Sequence, residues 1–294
     1  MNPIIDVQNL SKVYNRTTVL DNISFQIAPG ETVALLGENG AGKSTLINLL
    51  NQLIQPNSGT TYVMGTQDIR KVRDKVGVML QQNLSLERVT VKECLNLARS
   101  YYHNPLSYEA LIRLANLKEK EKCYLDQLSG GQKRRLTFAT TMAGNPQLIF
   151  LDEPTAGMDS NSRQSFWESI DRLKQNGKTF FITNHYLEEL DQIADRILIL
   201  KDTRLVYDGT LKSLRKKSGH ITIQFTTPLP KETFTSISAV KECSKTNQHI
   251  QLITDEPNVV MEALIPYLNQ LDELAIQQNS LASLFQKVIG GSSK

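Results

Sequence analysis

No part of the 294-residue chain is apolar for anything near the ~20 residues needed to cross a bilayer. The longest apolar runs, such as Ile197–Leu200, reach about four or five residues, so no transmembrane helix is expected. Cysteine is scarce: Cys94, Cys123 and Cys243 are scattered, with neither a pairable framework nor a metal-binding spacing, which fits a reducing cytoplasm. An excess of one charge is also missing. The 33 Lys+Arg face 30 Asp+Glu, a formal charge of +3, which argues against a dedicated nucleic-acid binder. The one local basic cluster, Lys212, Arg215, Lys216 and Lys217, reads as a solvated helix end or linker. Met1–Asp6 lacks the basic-then-apolar order of a secretory signal, and neither an internal repeat nor a low-complexity tract is present. What remains is ordinary globular composition with 40% hydrophobic residues, enough for one large domain or one domain with an appendage.

Hydrophobic periodicity divides the chain. Ile23, Phe25 and Ile27 alternate with Ser24 and Gln26 before a Pro29-Gly30 turn, the period of two of a strand buried on one face. Antiparallel strands are therefore expected near the N-terminus. Thr32–Leu36, Leu148–Leu151 and Thr179–Thr183 are instead continuously apolar, which is how central parallel strands covered on both faces read. Between the first two lies a long stretch of helical periodicity that includes Leu111, Leu114, Ala115 and Lys118. It shows little strand signal and reads as a helical insertion. After Gly219 the pattern resets, with Ile221–Phe225 alternating and Leu281, Leu284, Phe285 and Val288 at helical spacing, so a small α+β appendage is expected from about residue 220.

Gly37-Glu38-Asn39-Gly40-Ala41-Gly42-Lys43-Ser44 follows a buried strand and opens a helix whose expected apolar face is Leu46, Leu49, Leu50 and Leu53. Glycines let the backbone wrap a polyphosphate, and N–H groups at the helix start add to the positive end of its dipole. Lys43 reaches toward the β- and γ-phosphates, and the Ser44 hydroxyl can hold Mg²⁺. This pattern alone does not separate ATPases, GTPases and kinases, but no Asn-Lys-x-Asp base-reading motif is present, which disfavours GTP. Asp152 closes the Leu148–Leu151 strand and emerges where α/β sheets bind ligands, so it suits a role toward Mg²⁺. Glu153 would point elsewhere. It reads either as a general base for water or as a solvated acid before the Pro154 turn.

Leu128-Ser129-Gly130-Gly131-Gln132 precedes a helix bearing Leu136, Ala139 and Ala143, which makes Ser129 an N-cap candidate. Lys133, Arg134 and Arg135 add positive charge where the helix dipole is already positive, so an anion is expected there. A simply capped helix with basic surface residues is the plainer reading of the same pattern.

Taken in order and spacing, Gly37–Ser44, Leu128–Gln132 and Leu148–Glu153 closely resemble the nucleotide-binding subunit of ATP-binding cassette (ABC) transporters, over roughly residues 3–215. The resemblance implies an α/β P-loop NTPase cassette at 1–218, with an N-terminal antiparallel β-subdomain and an inserted helical subdomain at about 85–140, followed by an α+β accessory domain at 219–294. It implies ATP and Mg²⁺ as cofactors, with Gly37 through Ser44 and Thr45 around the phosphates and Tyr14 stacking on adenine. Ser44, Gln81 and Asp152 would attend the metal, Gln81 also sensing a permease. Glu153 and His185 would be catalytic, and Ala156–Asp159 would form the D-loop.

In that family two cassettes pack head to tail, with each ATP between one subunit's phosphate loop and the other's Ser129, Gly130, Gly131 and Gln132. A homodimer or a pair with a similar chain is thus implied, as is a separate transmembrane permease docking on the helical subdomain and Q-loop. Such a chain would lie on the cytoplasmic face of the membrane through its permease and would bind no nucleic acid. Val76–Gln81, His185–Glu189 and Ser280–Phe285 look like ABC-2-type bacterial exporters of drugs, antibiotics or peptides. Met158 departs from the usual D-loop Leu, Gln82 beside Gln81 leaves two candidates for the Q-loop residue, and Lys201–Arg204 lacks the usual turn glycine. Two rivals differ in class: a soluble ABC ATPase acting on ribosomes or DNA, which generally has two cassettes or a coiled-coil insertion, and a regulatory module that holds ATP without hydrolysing it.

Overall fold

A computed structural model describes residues 2–81, 86–184, 186–218, 221–278 and 280–290. The chain divides into two compact units, residues 1–209 and 210–294.

The first unit begins with strands β1 (Ile5–Tyr14) and β2 (Thr17–Ile27), which pair antiparallel. The hairpin turn is Asn15-Arg16, both at positive φ (45° and 66°), the geometry of a two-residue type I′ turn. It leaves Tyr14 at the strand end opposite Thr17. Strand β3 (Thr32–Gly37) feeds helix α1 (Lys43–Leu50), and β4 (Ser58–Val63) returns to pair with β1. After β5 (Val76–Met79) come α2 (Val91–Ser100), α3 (Tyr108–Ala115) and α4 (Gly130–Thr141). The unit closes with β6 (Leu148–Asp152), α5 (Ser160–Gln175), β7 (Thr179–Thr183), α6 (Leu187–Ile193), β8 (Arg196–Lys201) and β9 (Arg204–Gly209).

Two sheets result, one ordered β2-β1-β4 and one ordered β5-β6-β7-β3-β8-β9. In the larger sheet every pairing is parallel except the β8–β9 hairpin. The continuous apolar runs are indeed central: every residue of β6 and β7 is buried. Helix α1 lies in one core with both sheets. Leu46, Ile47, Leu49 and Leu50 join Leu20, Ile23 and Phe25 of β2 and Leu35, Phe150, Phe181 and Leu198 of the parallel sheet. The Phe25 and Phe181 rings stack at 6.1 Å. Truncating a buried leucine here would cost about 2–5 kcal/mol, so the loop between β3 and α1 is anchored by packing at both ends.

Three sequence expectations change. The stretch read as helical contains β4 and β5: β4 is mostly polar, with half its residues exposed, so it carries no apolar alternation, and β5 has only four residues. Helix α3 ends at Ala115 with Asn116 in the left-handed conformation (φ 51°) as its C-cap, so Lys118 lies beyond it, and the buried face is Leu111, Ile112 and Ala115. Leu53 is 57% exposed and lies past the end of α1 rather than on its buried face. The three helices of the insertion do form: α2 opens on a capping box of Thr90 and Glu93, and α4 contacts both α2 and α3.

The Lys201–Arg204 turn forms without glycine. Asp202 and Thr203 sit at φ 46° and 70°, held because Thr203 O accepts from Asp21 N at 2.9 Å and Arg204 pairs with Asp21 at 2.7 Å. A β-branched residue there is strained. Thr203→Gly would relieve ~1–2 kcal/mol of left-handed strain and add ~0.5–1 kcal/mol of unfolded-chain entropy. The expected result is a stabilisation of about 0.5–1 kcal/mol, read as a raised thermal midpoint; a lowered midpoint would mean that the threonine side chain, not the backbone, secures the turn.

The second unit comprises α7 (Leu211–Ser218), β10 (Ile221–Thr226), α8 (Glu232–Thr235), β11 (Val240–Thr246), β12 (His249–Thr254), α9 (Pro257–Leu264), β13 (Asp272–Gln278) and α10 (Leu281–Gly290). Its sheet is antiparallel in the order β11-β12-β10-β13, a split βαββαβ arrangement. Ile223, Phe225, Phe234, Ile250, Leu252, Val260 and Leu264 form its core. Helix α7 contacts α10, so the compact unit starts at Thr210, ahead of the residue 219 expected from the strand pattern. All three cysteines are free, and burial pushes the Cys94 thiol up to about 11.

Candidate nucleotide site

The loop from Gly37 to Ser44 joins the buried β3 to α1. Gly40 and Gly42 take φ of 83° and 100°, and a Cβ on Gly42 would stand 2.9 Å from Leu20 Cδ2 and 3.1 Å from Val19 O. Gly42 is also the N-cap of α1 and offers no side-chain cap, so the first N–H groups of the helix are met only by what the loop holds. Lys43 is 8% exposed, with Nζ donating to Gly37 O (2.8 Å) and Glu38 O (3.0 Å). Burial pushes its pKa down, while the carboxylates of Glu153 and Asp152 pull the other way. Thr45 is half-buried in the first turn of α1.

The two acids diverge as their sequence order requires. Asp152 is the last residue of β6; its Oδ2 accepts from Ser44 Oγ at 2.9 Å and its Oδ1 from Thr183 Oγ1. Glu153 lies just past the strand in the left-handed conformation (φ 49°), a backbone state that costs of order 1–3 kcal/mol and persists only where surroundings impose it. Its N–H meets Thr183 O at 3.1 Å, and its Oε2 accepts from Gln81 Nε2 at 2.7 Å. Lys43, Ser44, Gln81, Asp152 and Glu153 therefore converge at the C-terminal edge of the parallel sheet. The hard oxygen set of Ser44 Oγ, Asp152 carboxylate and the Gln81 amide suits Mg²⁺ supplemented by phosphate oxygens.

Ser129 is the N-cap of α4. Its Oγ accepts from Gln132 N at 3.3 Å, and Gln132 Oε1 accepts from Ser129 N at 3.0 Å, a reciprocal capping box. Among the described residues no hydrogen bond joins Ser129–Gln132 to Gly37–Ser44. The helix start lies instead against Gly157 and Met158: a Cβ on Gly131 would approach Met158 Cα to 3.4 Å. Met158, the departure from the usual leucine, is buried there.

The charge expected at that tip is placed elsewhere. Arg134 is 1% exposed and donates to five backbone carbonyls, and Arg135 donates to Ala115 O and Ser162 Oγ. Burial lowers the Arg134 pKa, against the pull of the Asp152 and Glu153 carboxylates. The Arg134 guanidinium is thus spent inside the chain, while half-buried Arg135 uses only two of its five N–H donors there.

Tyr14 is 42% exposed, with Lys12 Nζ 4.9 Å from its ring centroid. His185, together with Gln82, Ser85 and Gly219, lies outside the described residues. The residues flanking position 185 expose a group that sequence reasoning missed. Glu189 Oε2 accepts from Asn184 Nδ2 (2.7 Å), Trp167 Nε1 (2.8 Å) and Thr155 Oγ1 (2.9 Å), and its Oε1 faces Arg163 at 3.4 Å. One carboxylate thereby ties the segment after Glu153 to the end of β7. Nothing in the Glu188-Glu189 pair distinguished it from solvated helix acids.

A glycine cradle leading into a helix, a hydroxyl–carboxylate pair beside it and a second acid at the same sheet edge define a P-loop nucleoside triphosphatase. Comparison with known proteins narrows the class. The ABC transporter family model matches residues 20–156. A Nod factor export ATP-binding protein I from Rhizobium johnstonii is 38% identical over 214 residues, covering 70% of this chain and 68% of that protein. One from Burkholderia thailandensis is 35% identical over 219 residues, covering 71% and 72%. Among solved structures, an ATP-binding subunit of an ABC transporter superposes with a TM-score of 0.67 at 27% identity, over 73% of this chain and 92% of that one. A dimeric ATP-binding cassette in a post-hydrolysis state with ADP and Pi gives 0.63 at 26% identity, over 70% and 98%. The chain belongs to the ATP-binding subunits of ABC transporters, a family of ATPases.

Proposed function

We propose that this chain is the ATP-hydrolysing subunit of an exporter that works as a head-to-tail pair of cassettes beneath a separate membrane permease. The observation that carries the reading is the convergence of Lys43, Ser44, Gln81, Asp152 and Glu153 on one sheet edge, while a second capped helix tip at Ser129 lies against Gly157 and Met158 and, among the described residues, makes no hydrogen bond to the phosphate loop. A triphosphate seated on Gly37–Ser44 and Thr45 would meet its second set of donors, Ser129 through Gln132, only on another cassette. Lys43 would hold the β- and γ-phosphates, and Ser44, Asp152 and Gln81 would hold Mg²⁺. Glu153 would take the proton of the attacking water, His185 would hydrogen-bond the γ-phosphate, and Tyr14 would stack on adenine. Mg²⁺, when bound, supplies charge neutralisation of the phosphates.

For the permease, a groove of ≈ 660 Å³ runs along the helical insertion, lined by Leu86, Leu97, Tyr101 and Tyr102 together with the charged Arg73 and Asp74 that precede β5. Tyr101 is 78% and Leu97 48% exposed, more apolar surface than a helix face needs unless a partner covers it. No helix among the described residues is long and apolar enough to cross a membrane, and docking through this groove would place the chain on the cytoplasmic face. The names of its relatives, Nod factor export ATP-binding proteins, support export; the drug-, antibiotic- or peptide-like cargo, chosen by the permease, rests on the likeness of Val76–Gln81, His185–Glu189 and Ser280–Phe285 to ABC-2-type exporters.

Sedimentation tests the pairing. In ATP without Mg²⁺ the full chain should sediment as a dimer, and Ser129→Glu, which sets a carboxylate against the γ-phosphate, should weaken that dimer by on the order of 10–100-fold while each monomer still binds ATP. Equal dimerisation of the two chains would remove Ser129 from the interface.

A further inference from the structure

Arg134 presents an unusual buried charge. Its guanidinium has five N–H donors, and each has a backbone carbonyl: Nε reaches Pro154 O at 3.1 Å, Nη1 reaches Leu80 O and Gln81 O at 2.9 Å each, and Nη2 reaches Asp152 O and Glu153 O at 2.6 Å each. No donor is left over. Three of the acceptors come from the consecutive residues Asp152, Glu153 and Pro154, with Glu153 between them at its left-handed φ of 49°. The remaining two belong to the segment that ends in Gln81, whose side chain donates to Glu153 Oε2. One planar fork thus holds the strained backbone of the candidate base and the backbone of its hydrogen-bond donor.

The fork is carried by α4, the helix that Ser129 caps. Arg134 stands between two ends of chemistry: the helix tip that would grip the partner protomer's nucleotide, and the glutamate that serves its own. We infer that Arg134 is a positioning residue that couples the two ATP sites of the cassette pair, setting Glu153 of one site according to whether the α4 tip of the same chain has engaged the nucleotide of the other. The inference rests on the paired-cassette reading above. Lysine cannot substitute, because an ammonium is a point charge with three donors and cannot span five carbonyls in a plane.

Arg134→Lys in the full chain should lower kcat for ATP hydrolysis by roughly 10²-fold, as expected for a misplaced catalytic group. KM for ATP should stay within about twofold, because no phosphate ligand changes, and the Hill coefficient should fall toward one. A purely structural arginine would lower the thermal midpoint and the folded fraction but leave kcat per folded chain and the Hill coefficient unchanged, and that result overturns the proposal. Mixed dimers sharpen the test. Arg134→Lys placed on the same chain as Glu153→Gln should cost no more than Glu153→Gln alone, since both disable one site, whereas placing them on opposite chains should silence both sites. Equal activity of the two arrangements overturns the assignment of Arg134 to the Glu153 of its own chain, and an unchanged Hill coefficient overturns the coupling.

If the lysine variant does not fold, hydrogen exchange on the parent chain serves instead: segments 129–135 and 152–155 should gain protection at the same ATP midpoint, and separate midpoints overturn the proposal. Absence of any ATP-driven dimer in the Glu153→Gln chain would refute the paired-cassette reading itself. A dimer that forms with indistinguishable mixed arrangements would refute only the role of Arg134.

Discussion

Glu153→Gln lowers ATP turnover by about 10²–10⁴-fold, the usual contribution of a positioned general base, and leaves nucleotide binding intact. The substitution preserves shape: the amide oxygen of glutamine can still accept from Gln81 Nε2, which now lies 2.7 Å from Glu153 Oε2, and Asp152 keeps its bonds from Ser44 and Thr183. The left-handed backbone at residue 153 is held by Arg134 and Thr183, not by the carboxylate, so the loop keeps its form. Only the capacity to take a proton is lost. Because binding persists while hydrolysis stalls, the variant accumulates as an ATP-bound dimer. Phosphate release and sedimentation in Mg-ATP report the two halves of this expectation, and turnover at the parental rate would assign the proton to another group.

Lys43→Ala has the second large effect, on binding. The ammonium is buried beside two carboxylates and donates to the phosphate-loop carbonyls Gly37 O and Glu38 O. Without it, an incoming triphosphate loses charge-assisted bonds worth about 1.5–3 kcal/mol each and faces Asp152 and Glu153 with less compensation. Affinity for ATP should fall by about 10²-fold or more. Thermal unfolding gives a direct readout: ATP at about 100 times its Kd stabilises the parent by ≈ 2.7 kcal/mol, and the same concentration should leave the variant midpoint nearly unmoved. An undiminished ATP-induced shift would place the triphosphate somewhere other than Gly37–Ser44.

Much of the site was legible because its information is local. Glycines at positions 40 and 42 read as a loop free to wrap a polyphosphate, and both take positive φ. Ser129 and Gln132 stand at capping-box spacing and form one. Asp152 at the end of an apolar run had to leave the sheet at its C-terminal edge. Other features were misread for reasons of length or distance. Strand β4 is too polar and β5 too short to display apolar alternation, and Leu53 continued an apolar spacing after the helix had stopped. The end of the cassette unit depended on whether α7 packs back or forward, and α10, far along the chain, supplied its partner.

The chain's own order of residues determined the local parts of the candidate site: a glycine loop opening a helix, an aspartate at a strand end with a glutamate after it, and a second, serine-capped helix tip, each written within a few consecutive positions. Tertiary structure alone decided what the buried charges do. Arg134 read as part of a positive helix tip awaiting an anion, and Glu189 as nothing more than part of the His185–Glu189 segment, until folding brought distant acceptors and donors to them. The reason is physical: the groups that Arg134 satisfies are backbone carbonyls, which every residue type carries alike. No residue pattern can announce them, and only the path of the folded chain brings five of them to one guanidinium.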